Sequence, residues 1–110
     1  FDSDIWDFDL MQKVVNDYHL SSNNDPKGTS ELLLTVMETA ASVAQNYNIH
    51  DAEFYGEMFP FAEAYDEVLR DHPDLIQTKR LYIVYDAVVT ELGAEEIIEI
   101  LGRLLGEEEE

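Results

Sequence analysis

The stretch Thr29-Ser30-Glu31-Leu32-Leu33-Leu34-Thr35-Val36-Met37-Glu38-Thr39-Ala40-Ala41-Ser42-Val43-Ala44-Gln45-Asn46 decides the fold class. Leu33, Met37, Ala40, Ala44 and, one step further, Tyr47 recur at alternating intervals of four and three. That spacing lines up side chains on one face of an α-helix, whereas a strand requires a period of two. Thr29 or Ser30 supplies the hydroxyl that caps the first turn. A helix with a long apolar stripe needs neighbours to cover it, and the flanking segments read as those neighbours.

Upstream, the spacing predicts a helix over residues 4–19, with Trp6, Leu10, Val14 and Tyr18 as its inward stripe. Ser21 to Gly28 is dense in turn formers and reads as a loop. Downstream, Asn48-Ile49-His50-Asp51 reads as a connection that ends in an N-capping Asp51. Residues 52–71 are helical in pattern but contain Pro60, which has no amide to donate and clashes with the preceding turn. A kink or split near Met58–Phe59 follows.

His72-Pro73-Asp74 suits a helix start, because proline fits the first turn and aspartate favours the positive end of the helix dipole. That helix is expected to reach about Leu92, with Leu81, Val84, Tyr85, Val88 and Leu92 inward. Its valines would also suit a strand, but the run is too long and does not alternate. Gly93 ends it, and residues 94–105 form the last helix. Four glutamates, Glu107 to Glu110, oppose the dipole at a helix C-terminus and read as a disordered tail. The expected architecture is all-α: a compact bundle of four to six short antiparallel helices, one domain over residues 1–106, with an acidic tail at 107–110.

Composition narrows the chemistry. The 110 residues contain no cysteine, which excludes disulfides, zinc–thiolate sites and thiol nucleophiles. No apolar run approaches the ~20 residues of a membrane span, so no membrane partner is expected and a reducing, cytoplasmic setting is the natural one. Charge is the unusual feature: 25 acids against 6 bases leave a net −19. Direct binding to nucleic acid or an anionic membrane requires lysine and arginine, so both are disfavoured.

Catalytic and metal motifs are missing from the sequence. His19, His50 and His72 all fall at predicted helix ends, and no two lie on one helical turn as metal sites require. The 23–28 loop has calcium-loop spacing at first, but Leu34 stands where a bidentate glutamate is needed. There is no Gly-x-Ser-x-Gly elbow and no glycine-rich phosphate loop. The expectation is therefore no enzyme, no cofactor and no metal.

What remains is the pattern of charge. Asp9/Lys13, Asp66/Arg70 and Glu99/Arg103 stand four apart and predict bracing ion pairs within helices. Glu53/Glu57 and Glu63/Glu67/Asp71 instead place acid above acid. Four residues of helix rise about 6 Å, close to the phosphate spacing along a nucleic-acid strand. Asp7 and Asp9 interleave with Trp6 and Phe8, while Phe54 to Phe61 is crowded with aromatics. Phe8, Tyr55 and Phe59 are not expected to point inward together with Trp6 and Phe54, so some should be exposed, in a possible homodimer interface.

Trp6, Asp7, Asp9, Glu53, Glu57, Phe59, Glu63, Glu67 and Asp71 are the predicted partner-binding residues. The acids would carry charge, with Trp6 and Phe59 as anchors. The expected function is a non-enzymatic acidic inhibitor that occupies the basic surface of a nucleic-acid-binding protein, by analogy with phage-type anti-defence mimics of DNA. The alternatives are an immunity or antitoxin protein for one toxin, and an assembly subunit that forms homo-oligomers.

Overall fold

A computed structural model describes residues 6–21, 25–90 and 95–106. Among them are six α-helices: α1 (Phe8–Ser21), α2 (Pro26–Asn46), α3 (Ala52–Gly56), α4 (Phe59–Asp71), α5 (Thr78–Thr90) and α6 (Glu95–Leu105). A single 3₁₀ turn, Pro73–Leu75, links α4 to α5. The chain is an all-α bundle of short helices, as its periodicity predicts. Its radius of gyration of 13.4 Å matches the ~13 Å of a folded domain of about this length. The acidic tail, Gly93 and Leu92 lie outside the described residues.

Helix α2 is the hub, packing against α1, α4 and α5, while α6 closes over α4 and α5. Leu33, Met37, Ala40 and Ala44 are buried as predicted, and Leu34, Val36 and Ala41 join them, so most of its circumference is covered. The helix starts earlier than expected. Asp25 is the N-cap and Pro26 opens the first turn, so the last part of the predicted loop is helical. Proline's fixed φ and missing amide suit that position.

At the other end Tyr47 leaves the stripe and is 61% exposed. Asn48 takes a left-handed φ of 54°, and the amide of Ile49 donates to the Ala44 carbonyl at 2.8 Å. The amide of Asn48 also donates to the Gln45 carbonyl. Together these bonds form a Schellman closure, which stops the helix one residue before the stripe would have used Tyr47.

The chain breaks just before Phe59, near where the sequence places it: α3 ends at Gly56 and α4 opens at Phe59 with Pro60 in its first turn. Asp51 caps α3 by accepting the Glu53 amide at 2.9 Å. The segment after His72 differs from expectation. Pro73 starts only the 3₁₀ turn, and Ile76 is extended (ψ 136°), so α5 begins at Thr78. Leu81, Val84 and Val88 are buried and Tyr85 is half-buried.

The inward face of α1 is not the predicted one. Phe8 and Val15 are buried and Met11 is half-buried, whereas Leu10 (50%) and Val14 (40%) are exposed. Residues four apart advance 400° on a 100° helix, so a strict period of four rotates by about 40° per step and leaves the core face. Phe8, Met11 and Val15, spaced three and four, stay on it. Trp6 precedes the helix, is half-buried, and meets Phe8 edge-on at 5.9 Å.

The aromatic crowding also resolves inward. Phe8 packs on Phe54 (5.1 Å between ring centroids) and Phe61 (6.1 Å), and Phe54 meets Tyr55 at 5.6 Å. Phe54 and Tyr55 are both buried, while Ala52 and Glu53 form the solvent side of α3. Phe59 is half-buried against the core.

Two arginine clusters fix the helices to one another. The Asp66 carboxylate on α4 is 3% exposed and accepts from Arg70 at 2.9 Å and from Arg103 on α6 at 3.2 Å. Arg80 on α5 reaches α2, donating to Glu38 at 2.6 Å, Glu31 at 2.9 Å and Thr35 at 3.0 Å. Gln77 donates to Glu31 in the same cluster. The Glu38 carboxylate pushes the already high Arg80 pKa further up. Glu31, Thr35 and Glu38 are spaced four and three, so one guanidinium fork meets a single ridge of α2. Lys13 lies 3.8 Å from Asp17, turning toward the C-terminal acid rather than the expected Asp9.

Replacing Asp66 with alanine should cost about 2–3 kcal/mol in urea unfolding, because both guanidiniums lose their buried acceptor. Arg70→Ala should cost under about 1 kcal/mol, since Arg70 is 68% exposed and Arg103 still covers the carboxylate. Equal losses for the two variants would mean that the carboxylate is not the organising group.

Candidate functional site

Asp7, Asp9, Glu53, Glu57, Glu63, Glu67 and Asp71 are all exposed, and none forms an ion pair among the described residues. Asp7 also accepts the Leu10 amide at 3.2 Å, at the positive end of α1. Glu63, Glu67 and Asp71 run along the outer face of α4, away from its buried Phe61, Ala62, Tyr65 and Leu69. Glu53 lies in α3 and Glu57 caps its end. Because Phe8 touches Phe54 and Phe61, the start of α1 carrying Asp7 and Asp9 sits against α3 and α4.

Of the six bases, Lys13, Arg70, Arg80 and Arg103 are in ion pairs, and two of them, Arg80 and Arg103, join one helix to another. The outer surface is therefore dominated by uncompensated carboxylates. The predicted anchors are less available. Trp6 and Phe59 are both half-buried and packed against the core, and the Trp6 indole Nε1 is buried without a hydrogen-bond partner.

A feature the sequence did not reveal lies between α1, α2 and α4. A groove of about 740 Å³ opens there, within the usual size of binding pockets. Its floor is apolar: Val15, Leu33, Ala64 and Val68. On one side stand Gln12, Asn16 and His19 of α1; on the other, Glu67, Asp71 and the α4 cap His72. Pro26 and Thr29 close one end. Thr29 is 7% exposed, and its hydroxyl has no hydrogen-bond partner among the described residues. Two of the predicted acids, Glu67 and Asp71, thus border a cavity instead of a featureless face. The groove is not legible in the sequence because the period-four stripe of α1 leaves Val15 off the expected inward face.

Near that end a polar latch joins α1 to α2. The Tyr18 hydroxyl donates to Asp25 at 2.9 Å. The Gly28 amide and then this hydroxyl hold the Asp25 carboxyl below its ordinary range, and the same bond raises the Tyr18 phenol. Gly28 is needed for close approach: a Cβ there would run into the Tyr18 hydroxyl and come within 2.5 Å of the Asp25 carboxylate.

The three histidines lie at or next to helix ends, as predicted, and all are exposed. Among the described residues no three His, Asp or Glu side chains are grouped to hold a metal ion. Among them, too, no helix is long and apolar enough to cross a membrane. No protein-family model, curated protein or solved structure matches this chain.

The latch should titrate at both ends of the pH scale. Asp25, depressed on folding, contributes above its unfolded value of 3.8, and this is lost as pH falls through the lower folded value. Tyr18, raised on folding, contributes below 10.0 and loses that contribution as pH rises through the higher folded value. The thermal midpoint of the native protein should exceed that of Tyr18→Phe by a steady margin between about pH 5 and 9 and by less beyond either limit. A margin that stays flat into acid would remove Asp25 from the latch.

Proposed function

We propose that this chain is a non-enzymatic acidic binding protein of the cytoplasm that occupies the basic, nucleic-acid-binding surface of a partner protein. One observation carries the reading: four of the six bases pair with Asp17, Glu31, Glu38 and Asp66, whereas Glu63, Glu67 and Asp71, with Glu53, Glu57, Asp7 and Asp9, stand exposed with no ion pair among the described residues. Like charges four apart on a helix cost a few tenths of a kcal/mol each, so the fold gains nothing from this arrangement. A cationic groove that normally holds phosphates would gain from it, because acids at about 6 Å intervals present charge at phosphate-like spacing. The long-range field of a −19 protein speeds encounter with such a surface and makes the association depend on salt. Trp6 and Phe59, already packed on the core, would contribute their exposed edges at the rim of the interface.

The immobilised protein should retain basic proteins from cell extract at low salt and release them to increasing salt or to duplex DNA. The charge-reversed variant E63K/E67K/D71K should bind a retained partner about 10–100-fold more weakly at low ionic strength, with the difference shrinking as salt shortens the screening length. Affinity unchanged by the reversal would overturn the proposal. A single partner that DNA cannot displace would replace mimicry with the recognition of one toxin-like protein.

A further inference from the structure

We infer that the groove between α1, α2 and α4 is the seat of a cationic amphipathic helix of the partner, which lowers two apolar side chains onto the floor and sets lysines or arginines against Glu67 and Asp71. The inference rests on the reading of an acidic binding protein and names the site it would use.

The shape comes first. The lining of α1 runs from Gln12 to His19 and that of α4 from Ala64 to His72, about two turns of helix or 10–12 Å on each side. A helix laid in such a groove presents residues one turn apart, and Val15, Leu33, Ala64 and Val68 form an apolar floor for two of them. Ala64, at one end of the α4 lining, is small and adds little height to the floor there.

Charge then selects the occupant. Among the described residues no lysine or arginine lines the groove, and Glu67 and Asp71 stand on one rim with Glu63 one turn further along α4. A second copy of a −19 chain would bring more acid to that rim, as would the chain's own glutamates 107–110. A cationic helix meets opposite charge there and apolar surface beneath. The Thr29 hydroxyl adds a polar group to the α2 side of the groove.

The test uses the whole protein and two peptides of about 15 residues, long enough for helix to form on binding. One places leucines one turn apart on a single face among lysines; the other has the same composition with its leucines dispersed. Calorimetry at low salt should find the amphipathic peptide bound about tenfold or more tightly than its scrambled control. E67K/D71K and Ala64→Leu, which raises the floor at a half-buried position, should each weaken it about tenfold, whereas E53K/E57K, an identical charge change outside the groove, should cost less than about threefold. Helical circular dichroism confirms that each variant is folded, and E67K/D71K alters only exposed residues.

If both peptides bind equally and both charge pairs matter alike, the groove is overturned while the acidic-partner reading stands. If neither peptide binds at low salt, both fail.

Discussion

Burial of α2 is the condition on which the rest of this molecule depends. A chain with 25 acids and 6 bases repels itself, and the apolar area removed from water must outweigh that repulsion. Each fully buried leucine or methionine contributes about 1.5–3 kcal/mol, and α2 supplies Leu33, Leu34 and Met37 to the centre. Its alanines matter equally. Ala40, Ala41 and Ala44 are all buried, and their short side chains suit close packing against α4 and α5.

Within that apolar frame the scarce positive charges have a specific use. Arg80 joins α5 to α2, and Arg103 joins α6 to α4 through the buried Asp66. A planar guanidinium can serve several acceptors in fixed geometry, which a lysine cannot. The consequence reaches the surface. With Arg80 and Arg103 committed to inter-helix contacts, the many remaining carboxylates have few cations to meet, and acid outweighs base on the exterior. Stability and the proposed function are linked through this allocation.

The groove arises where the bundle is least tightly held. Helix α1 buries only Phe8 and Val15 fully and leaves Leu10 and Val14 to solvent. Its aromatic end is locked by Phe54 and Phe61, and its other end by the Tyr18–Asp25 latch over Gly28. Between these two fixings Met11 and Val15 face the core, while Leu10 and Val14 are exposed. The groove opens beside Val15, where acids of α4 border its apolar floor.

Local physics made much of this readable from the sequence. The alternating three- and four-residue spacing of α2, the capping role of Asp51 and the break forced by Pro60 are consequences of backbone geometry that distant residues do not alter. So is the exposure of the acid rows, because an unpaired carboxylate is held at the surface by the cost of dehydrating it. The face of α1 and the inward turn of Phe8 and Tyr55 depended on neighbours. A short helix bearing apolar residues on two sides has no intrinsic preference for either. Arg103 likewise had acids within reach on its own helix, and only the packing of α6 on α4 brought Asp66 to it. The sequence by itself determined helices, breaks and net charge, because those follow from φ/ψ preferences and counting. Tertiary structure alone decided which faces meet, which charges are paired and where a groove remains, because those depend on residues far apart in the chain competing for the same buried space.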